Sequence, residues 1–205
     1  MATHTLVQTI AARRDNTWAI RAVSVLFITA LTIAAAQISV PLPFTAVPFT
    51  FQPMIVLLGG LALGSRLGAT SQVLYLAAGI AGLPVFAASA TLPPGALRLL
   101  GPTGGYLMSY PIAALLAGYL AERGMDRRYL TSVIAMLAGL VVVYTCGALW
   151  LGLFARTAAG NAAIGLERAI LTGVAPFVVA DIAKLLLAAA IVPGVWRIVG
   201  RRGRT

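Results

Sequence analysis

Asp181 and Lys184 offer the most distinctive chemistry in the chain, in the run Pro176-Phe-Val-Val-Ala-Asp181-Ile-Ala-Lys184. A spacing of three puts both side chains on one face of a helix. Their neighbours are apolar, and Lys184 is the only lysine in the sequence. A charge near a bilayer centre costs about 2.5–3.5 kcal/mol on insertion scales, so such groups face a cavity or one another. Two readings follow: a self-neutralising pair that stabilises a helix bundle, or a site for a polar ligand. Leucines or alanines would span a membrane at far lower cost, which favours the ligand site.

Arg98 lies in the loop Leu92-Pro-Pro-Gly-Ala-Leu-Arg-Leu-Leu-Gly101. A guanidinium among apolar residues can clamp a carboxylate, and a solvated or headgroup-bound arginine is the equal alternative. Gly101-Pro-Thr-Gly-Gly-Tyr106 opens a helix, whose free N–H groups could meet an oxygen while Tyr106 supplies an aromatic wall. A tight turn packing one helix on its neighbour explains the same glycines. The loop Phe44-Thr-Ala-Val-Pro-Phe-Thr-Phe-Gln52 can lid a pocket, and Gln52 can hydrogen-bond a ligand amide or ureide. Its aromatics also suit ordinary membrane anchoring. Ala30 and Ala34 lie four apart, a spacing that allows close helix approach in lipid, within this bundle or against a partner.

Other chemistries lack parts. The single histidine is His4, in the N-terminal tail, and the single cysteine is Cys146, in an apolar stretch. No metal site, cofactor motif or catalytic set of Ser/His/Asp or paired carboxylates can be assembled, so an enzyme is not expected.

These residues need a membrane scaffold to position them. The chain of 205 residues is 60% hydrophobic and 10% charged, against roughly a quarter charged in soluble domains. Its net charge of +10 lies mainly in short gaps between apolar runs, the membrane-protein pattern, and no nucleic-acid partner is expected. The fold class expected is an all-α integral membrane protein, a compact bundle of six transmembrane helices. Spans are placed at 18–38, 52–64, 67–81, 103–121, 129–154 and 172–195, with a tail over 1–17 and a basic tail over 196–205. The span at 52–64 is too short to cross upright. Residues 82–102 read as a long loop, and Arg156 to Arg168 as a polar connection. The first apolar segment lacks a clear cleavage site and is expected to stay as a helix. Most arginines fall on the side that holds both termini, which the positive-inside rule makes cytoplasmic.

The run Pro41 to Gln52, the segment Tyr75-Leu-Ala-Ala-Gly-Ile-Ala-Gly-Leu-Pro-Val-Phe86, the Gly-Pro-Thr-Gly-Gly-Tyr motif and Asp181…Lys184 together resemble one family. It is the BioY family, the biotin-specific substrate-binding (S) components of energy-coupling factor (ECF) vitamin transporters. The resemblance runs from about Trp18 to Val195. It implies a multi-pass protein of a prokaryotic cell (inner) membrane that captures biotin at the extracytoplasmic side. It also implies a transmembrane coupling subunit and a pair of ABC-type ATPases as partners, with Ala30 and Ala34 facing the coupling subunit. Asp181 and Lys184 match the family's binding residues on the last helix, and Arg98 its arginine before helix four. One departure stands out: the family's asparagine after helix three is missing between Gly79 and Gly101, leaving Ser89 or Gln52 to substitute. Asp181 would accept from the ureido N–H groups while Lys184 donates to an oxygen and Arg98 holds the carboxylate, or the ends are exchanged. Tyr75, Phe86 and Tyr106 would line the apolar bicycle.

Overall fold

The computed structural model describes residues 5–11, 17–88, 92–157 and 160–201. The chain is mostly helical. Three stretches among the described residues are long and apolar enough to cross a bilayer: Thr17–Gln37, Tyr129–Leu153 and Ala175–Ile198.

In chain order the helices are α1 (Leu6–Ala11), α2 (Thr17–Gln37), α3 (Gln52–Leu63), α4 (Ser65–Ile80) and α5 (Gly104–Leu120). They continue as α6 (Tyr129–Leu153), α7 (Leu166–Gly173), α8 (Ala175–Ala188) and α9 (Ile191–Arg201). Pro53 stands at the start of α3, where its missing N–H costs nothing. At 1.5 Å per residue α3 is only about 18 Å long, well short of a hydrocarbon core of about 30 Å. Its place in the bundle therefore depends on tight packing. A Cβ on Gly60 would stand 2.4 Å from the Ala114 carbonyl of α5, and one on Gly118 would stand 2.3 Å from the backbone of Gly64. Small residues let these backbones touch, which replaces the hydrophobic drive that lipid does not supply.

The turn between α3 and α4 passes through Gly64 at φ 89°, a left-handed conformation that suits glycine. The first free N–H groups of α4 are met by Glu122: the Ser65 amide and hydroxyl both donate to its Oε1 at 2.9 Å. A carboxylate there also complements the helix dipole.

Several segments differ from the sequence reading. The expected N-terminal tail contains α1, with Leu6 buried and the Thr5 hydroxyl donating to the Leu63 carbonyl at 3.3 Å. The proline-rich loop closes as a short antiparallel pair, β1 (Ser39–Val40) with β2 (Phe49–Thr50), forming a strap over residues 39–50. The polar connection contains a second small pair, β3 (Arg156–Thr157) with β4 (Gly160–Asn161), and the start of α7. Residues 172–195 are not one continuous helix. Val174, at φ −123° and ψ −61°, separates α7 from α8, and Pro176 in the first turn of α8 has no N–H to continue the ladder. The chain turns again at Ala189 and Ala190 before α9, which extends the helix into the expected basic tail.

Candidate functional site

A cavity of about 240 Å³ lies at the end of the bundle where α3 and α5 begin. Its walls come from the strap (Pro41, Thr45, Val47, Thr50), from Gln52, and from Phe86, Ala88 and Leu92 of the long loop. Arg98, Gly101, Thr103, Tyr106, Tyr110, Tyr144, Phe177 and Asp181 complete it. The lining is largely apolar with a few convergent polar groups, the usual composition of a small-molecule site.

Asp181 sits on the inner face of α8 and is 8% exposed. Lys184, one turn on, donates to its Oδ1 at 2.6 Å, while the Tyr144 hydroxyl of α6 donates to its Oδ2 at 2.7 Å. Lys184 Nζ also donates to the Thr50 carbonyl at 2.7 Å and stands 3.5 Å from the centre of the Phe49 ring. The ammonium thus ties α8 to the strap, with the aromatic face adding cation–π attraction. Separating any of these partners would strand a buried charge.

Arg98 lies on a short 3₁₀ turn, Ala96–Leu100, that begins at Gly95 with φ 108°. Its Nη1 donates to the Ala87 carbonyl at 2.8 Å and its Nε to the Pro93 carbonyl at 3.3 Å. Neither bond uses Nη2, and among the described residues no carboxylate pairs with the guanidinium. Burial lowers the Arg98 pKa from its ordinary value, and the Coulombic influence of Tyr75 opposes that shift. A buried guanidinium without a counter-ion attracts an anion.

An aromatic stack supports the remaining wall. Phe86 meets Tyr75 edge-on with centroids 5.4 Å apart, and Tyr75 stacks on Tyr110 at 6.4 Å. Gln52 Nε2 donates to the Tyr75 hydroxyl at 2.6 Å. At the C-terminal end of α2, Gln37 Nε2 donates to the carbonyls of Pro84 and Val85 at 3.2 and 3.4 Å, tethering the loop that carries Phe86.

Asp181, Arg98, Gln52, Tyr106 and Phe86 line one cavity. Tyr75 is fully buried behind Gln52 and Phe86, and Lys184 stands behind Asp181; neither belongs to the cavity wall. Ser89 lies outside the described residues. The glycines of Gly101–Tyr106 serve helix packing: a Cβ on Gly105 would stand 2.2 Å from Trp150 Cβ, and one on Gly104 1.8 Å from the Leu99 carbonyl. The Tyr106 hydroxyl donates to the Gly173 carbonyl at 2.8 Å, where the α7–α8 break frees that oxygen. Ala30 and Ala34 lie on the exposed face of α2, in line with Val23 and Phe27, away from the cavity.

Tyr144 escapes the sequence reading. Its only signal is a phenol deep inside an apolar span, where the hydroxyl needs a partner.

Comparison with known proteins places this geometry in context. A family model described as the BioY family matches residues 7–201. The chain is 43% identical over 162 residues to the "Probable biotin transporter BioY" of Pyrococcus horikoshii, covering 79% of this chain and 87% of that one. It is 38% identical over 164 residues to the "Biotin transporter BioY" of Thermotoga maritima, covering 80% and 88%. Among solved structures it is similar to the S-component for biotin from an ECF-type ABC transporter. That match has a TM-score of 0.78 and 26% identity, and covers 90% of this chain and 94% of that one.

Proposed function

The chain belongs to the BioY family, and on that premise we propose that it captures biotin in the cavity bounded by Asp181 and Arg98, as the S component of an ECF-type importer. It is a membrane protein and a transport component, not an enzyme. The observation that carries the substrate reading is a buried carboxylate on the same apolar chamber as a buried guanidinium that pairs with no carboxylate among the described residues. Biotin has matching chemistry: a ureido group with N–H donors, an apolar bicycle and a carboxylate. Asp181 accepts from the ureido edge, Arg98 takes the carboxylate, and Phe86 and Tyr106 pack on the bicycle. Gln52 stands beside them as a further polar contact.

The six apolar segments cross a prokaryotic inner membrane in this proposal, with both termini in the cytoplasm and the cavity facing outward. Support comes from the arginines: exposed Arg66 and Arg123 lie at the end opposite the cavity. The exposed Ala30/Ala34 face docks on a transmembrane coupling subunit, and ATP is hydrolysed by a partner ATPase pair.

The test is equilibrium binding of radiolabelled biotin to detergent-purified protein, with thiamin and riboflavin as competitors. The expected result is saturable biotin binding at one site that neither competitor displaces. Displacement by either vitamin, with no biotin retained, overturns the substrate assignment.

A further inference from the structure

We infer that Gln37 and Gly79 are positioning residues for the carboxylate end of the ligand: together they anchor residues 84–87, the segment on which the Arg98 guanidinium rests. The inference rests on the biotin reading and deepens it.

Arg98 depends on that segment for its place. Its Nε bond to the Pro93 carbonyl stays close to its own turn. Its Nη1 bond reaches back eleven positions to the Ala87 carbonyl at 2.8 Å. Of these two bonds, the second ties the guanidinium to the rest of the bundle. Where Arg98 stands therefore follows from where Ala87 stands.

Residues 84–87 belong to no helix or strand, so side chains from elsewhere must hold them. Three successive residues are held. Gln37, at the C-terminal end of α2, donates to the Pro84 and Val85 carbonyls at 3.2 and 3.4 Å. The Tyr75 hydroxyl of α4 donates to the Val85 carbonyl at 3.4 Å while accepting from Gln52. The Phe86 ring then lies on α4 itself. A Cβ on Gly79 would overlap the Cζ, Cε1 and Cε2 atoms of that ring, whose other contact is the edge of Tyr75. The backbone does not demand a glycine at 79, because the left-handed conformation that ends α4 falls at Gly82. Glycine weakens a helix, so its presence asks for a packing reason, and the ring supplies one. Any side chain at 79 lifts Phe86 off α4 and carries Ala87 with it. Neither Gln37 nor Gly79 borders the chamber, so both reach the ligand only through this segment.

The experiment titrates the purified full chain with biotin and with biotin methyl ester, which lacks the carboxylate, and reads the ratio of the two affinities. The wild type should prefer biotin about tenfold to a hundredfold, the range for a hydrogen bond to a charged group. Gly79→Ala should cut that preference about tenfold, since biotin loses its hold on Arg98 as well as the shifted Phe86 wall. Adding Phe86→Leu to Gly79→Ala makes room for the new methyl group and should return the ratio toward the wild-type value. Gln37→Leu, at an exposed helix end, should lower the preference about threefold. Retained binding of the ester shows that each variant is folded. A loss in Gly79→Ala that is equal for both ligands reduces the anchor to wall packing and overturns the inference. An unchanged ratio in Gln37→Leu also overturns it, and does so even where Gly79→Ala fails to fold. A wild type that binds both ligands equally removes the assignment of the carboxylate to Arg98 and the inference with it. Failure of the wild type to bind biotin at all is a separate outcome, and it removes the substrate reading itself.

Discussion

Both ends of the bundle bury a carboxylate, and they do so in different ways. At the cavity end, Asp181 has a donor on each oxygen, one of them an ammonium, and it borders an open chamber. At the opposite end, Asp126 is fully buried after the short π-type turn Ala121–Met125, and its Oδ2 accepts from Trp196 Nε1 of α9 at 2.7 Å. Its Oδ1 stands 3.5 Å from Arg127 Nε, and the Arg127 guanidinium lies 3.7 Å above the Trp196 ring. Glu122 at the same end caps α4. These carboxylates tie helices together and do not border the cavity. The two acids differ in whether their surroundings leave room for a ligand: Asp181 borders a chamber and Asp126 does not.

The sharpest break of this comparison is a pair of matched substitutions. Asp181→Asn should weaken biotin binding by about 2–5 kcal/mol, the usual cost of stranding one member of a buried charge pair. Asp126→Asn should leave affinity unchanged. Titration of both variants in detergent checks this, and equal losses would erase the distinction between the ends.

Arg98→Gln should act on one end of the ligand only. It should weaken biotin by roughly 1.5–3 kcal/mol, the range for hydrogen bonds to charged groups. Biotin methyl ester, which has no carboxylate, should bind wild type and variant alike. A variant that weakens both ligands equally would return Arg98 to a support for the loop through Ala87 and Pro93.

Ala30→Trp and Ala34→Trp should have no effect on binding, because both positions face outward on α2. Uptake in cells carrying the coupling subunit and ATPases should fall to background, since a large side chain blocks close helix approach. Normal uptake in both variants would mean that this face meets only lipid.

The smallest effect concerns pH. Burial raises the Asp126 pKa above the usual carboxylate range, against the opposing pull of the Trp196 hydrogen bond and Arg127. A carboxyl whose folded pKa exceeds its unfolded pKa binds its proton more tightly when folded. Its contribution is greatest below the unfolded pKa and is lost as pH rises through the folded pKa. Thermal stability should therefore decline as pH climbs out of the acid range, and Asp126→Asn should flatten that decline. An identical pH profile in the variant would remove Asp126 as its source.

The scaffold is legible in the sequence wherever apolar runs are long. Residues 129–154 are expected as one span, and α6 occupies Tyr129–Leu153. The i, i+3 spacing of Asp181 and Lys184 likewise anticipates their ion pair. What escapes is set by distant backbone. The Thr50 carbonyl reaches Lys184 across 134 positions, so spacing cannot show that the ammonium is already occupied. Tyr144 resembles any aromatic in an apolar helix until α8 brings Asp181 to it. The α7–α8 break is visible only as Pro176, whose first-turn position is compatible with an unbroken helix elsewhere. Asp126 reads as a loop acid among arginines, and only the return of α9 buries it against Trp196.

The central claim is that the cavity between Asp181 and Arg98 is the biotin site. Its most direct test is an experimental structure of the protein determined with biotin bound. The expected result is biotin inside the cavity, with its ureido group at Asp181 and its carboxylate toward Arg98. Biotin bound elsewhere, or seated in the cavity with its carboxylate against Asp181, would contradict it.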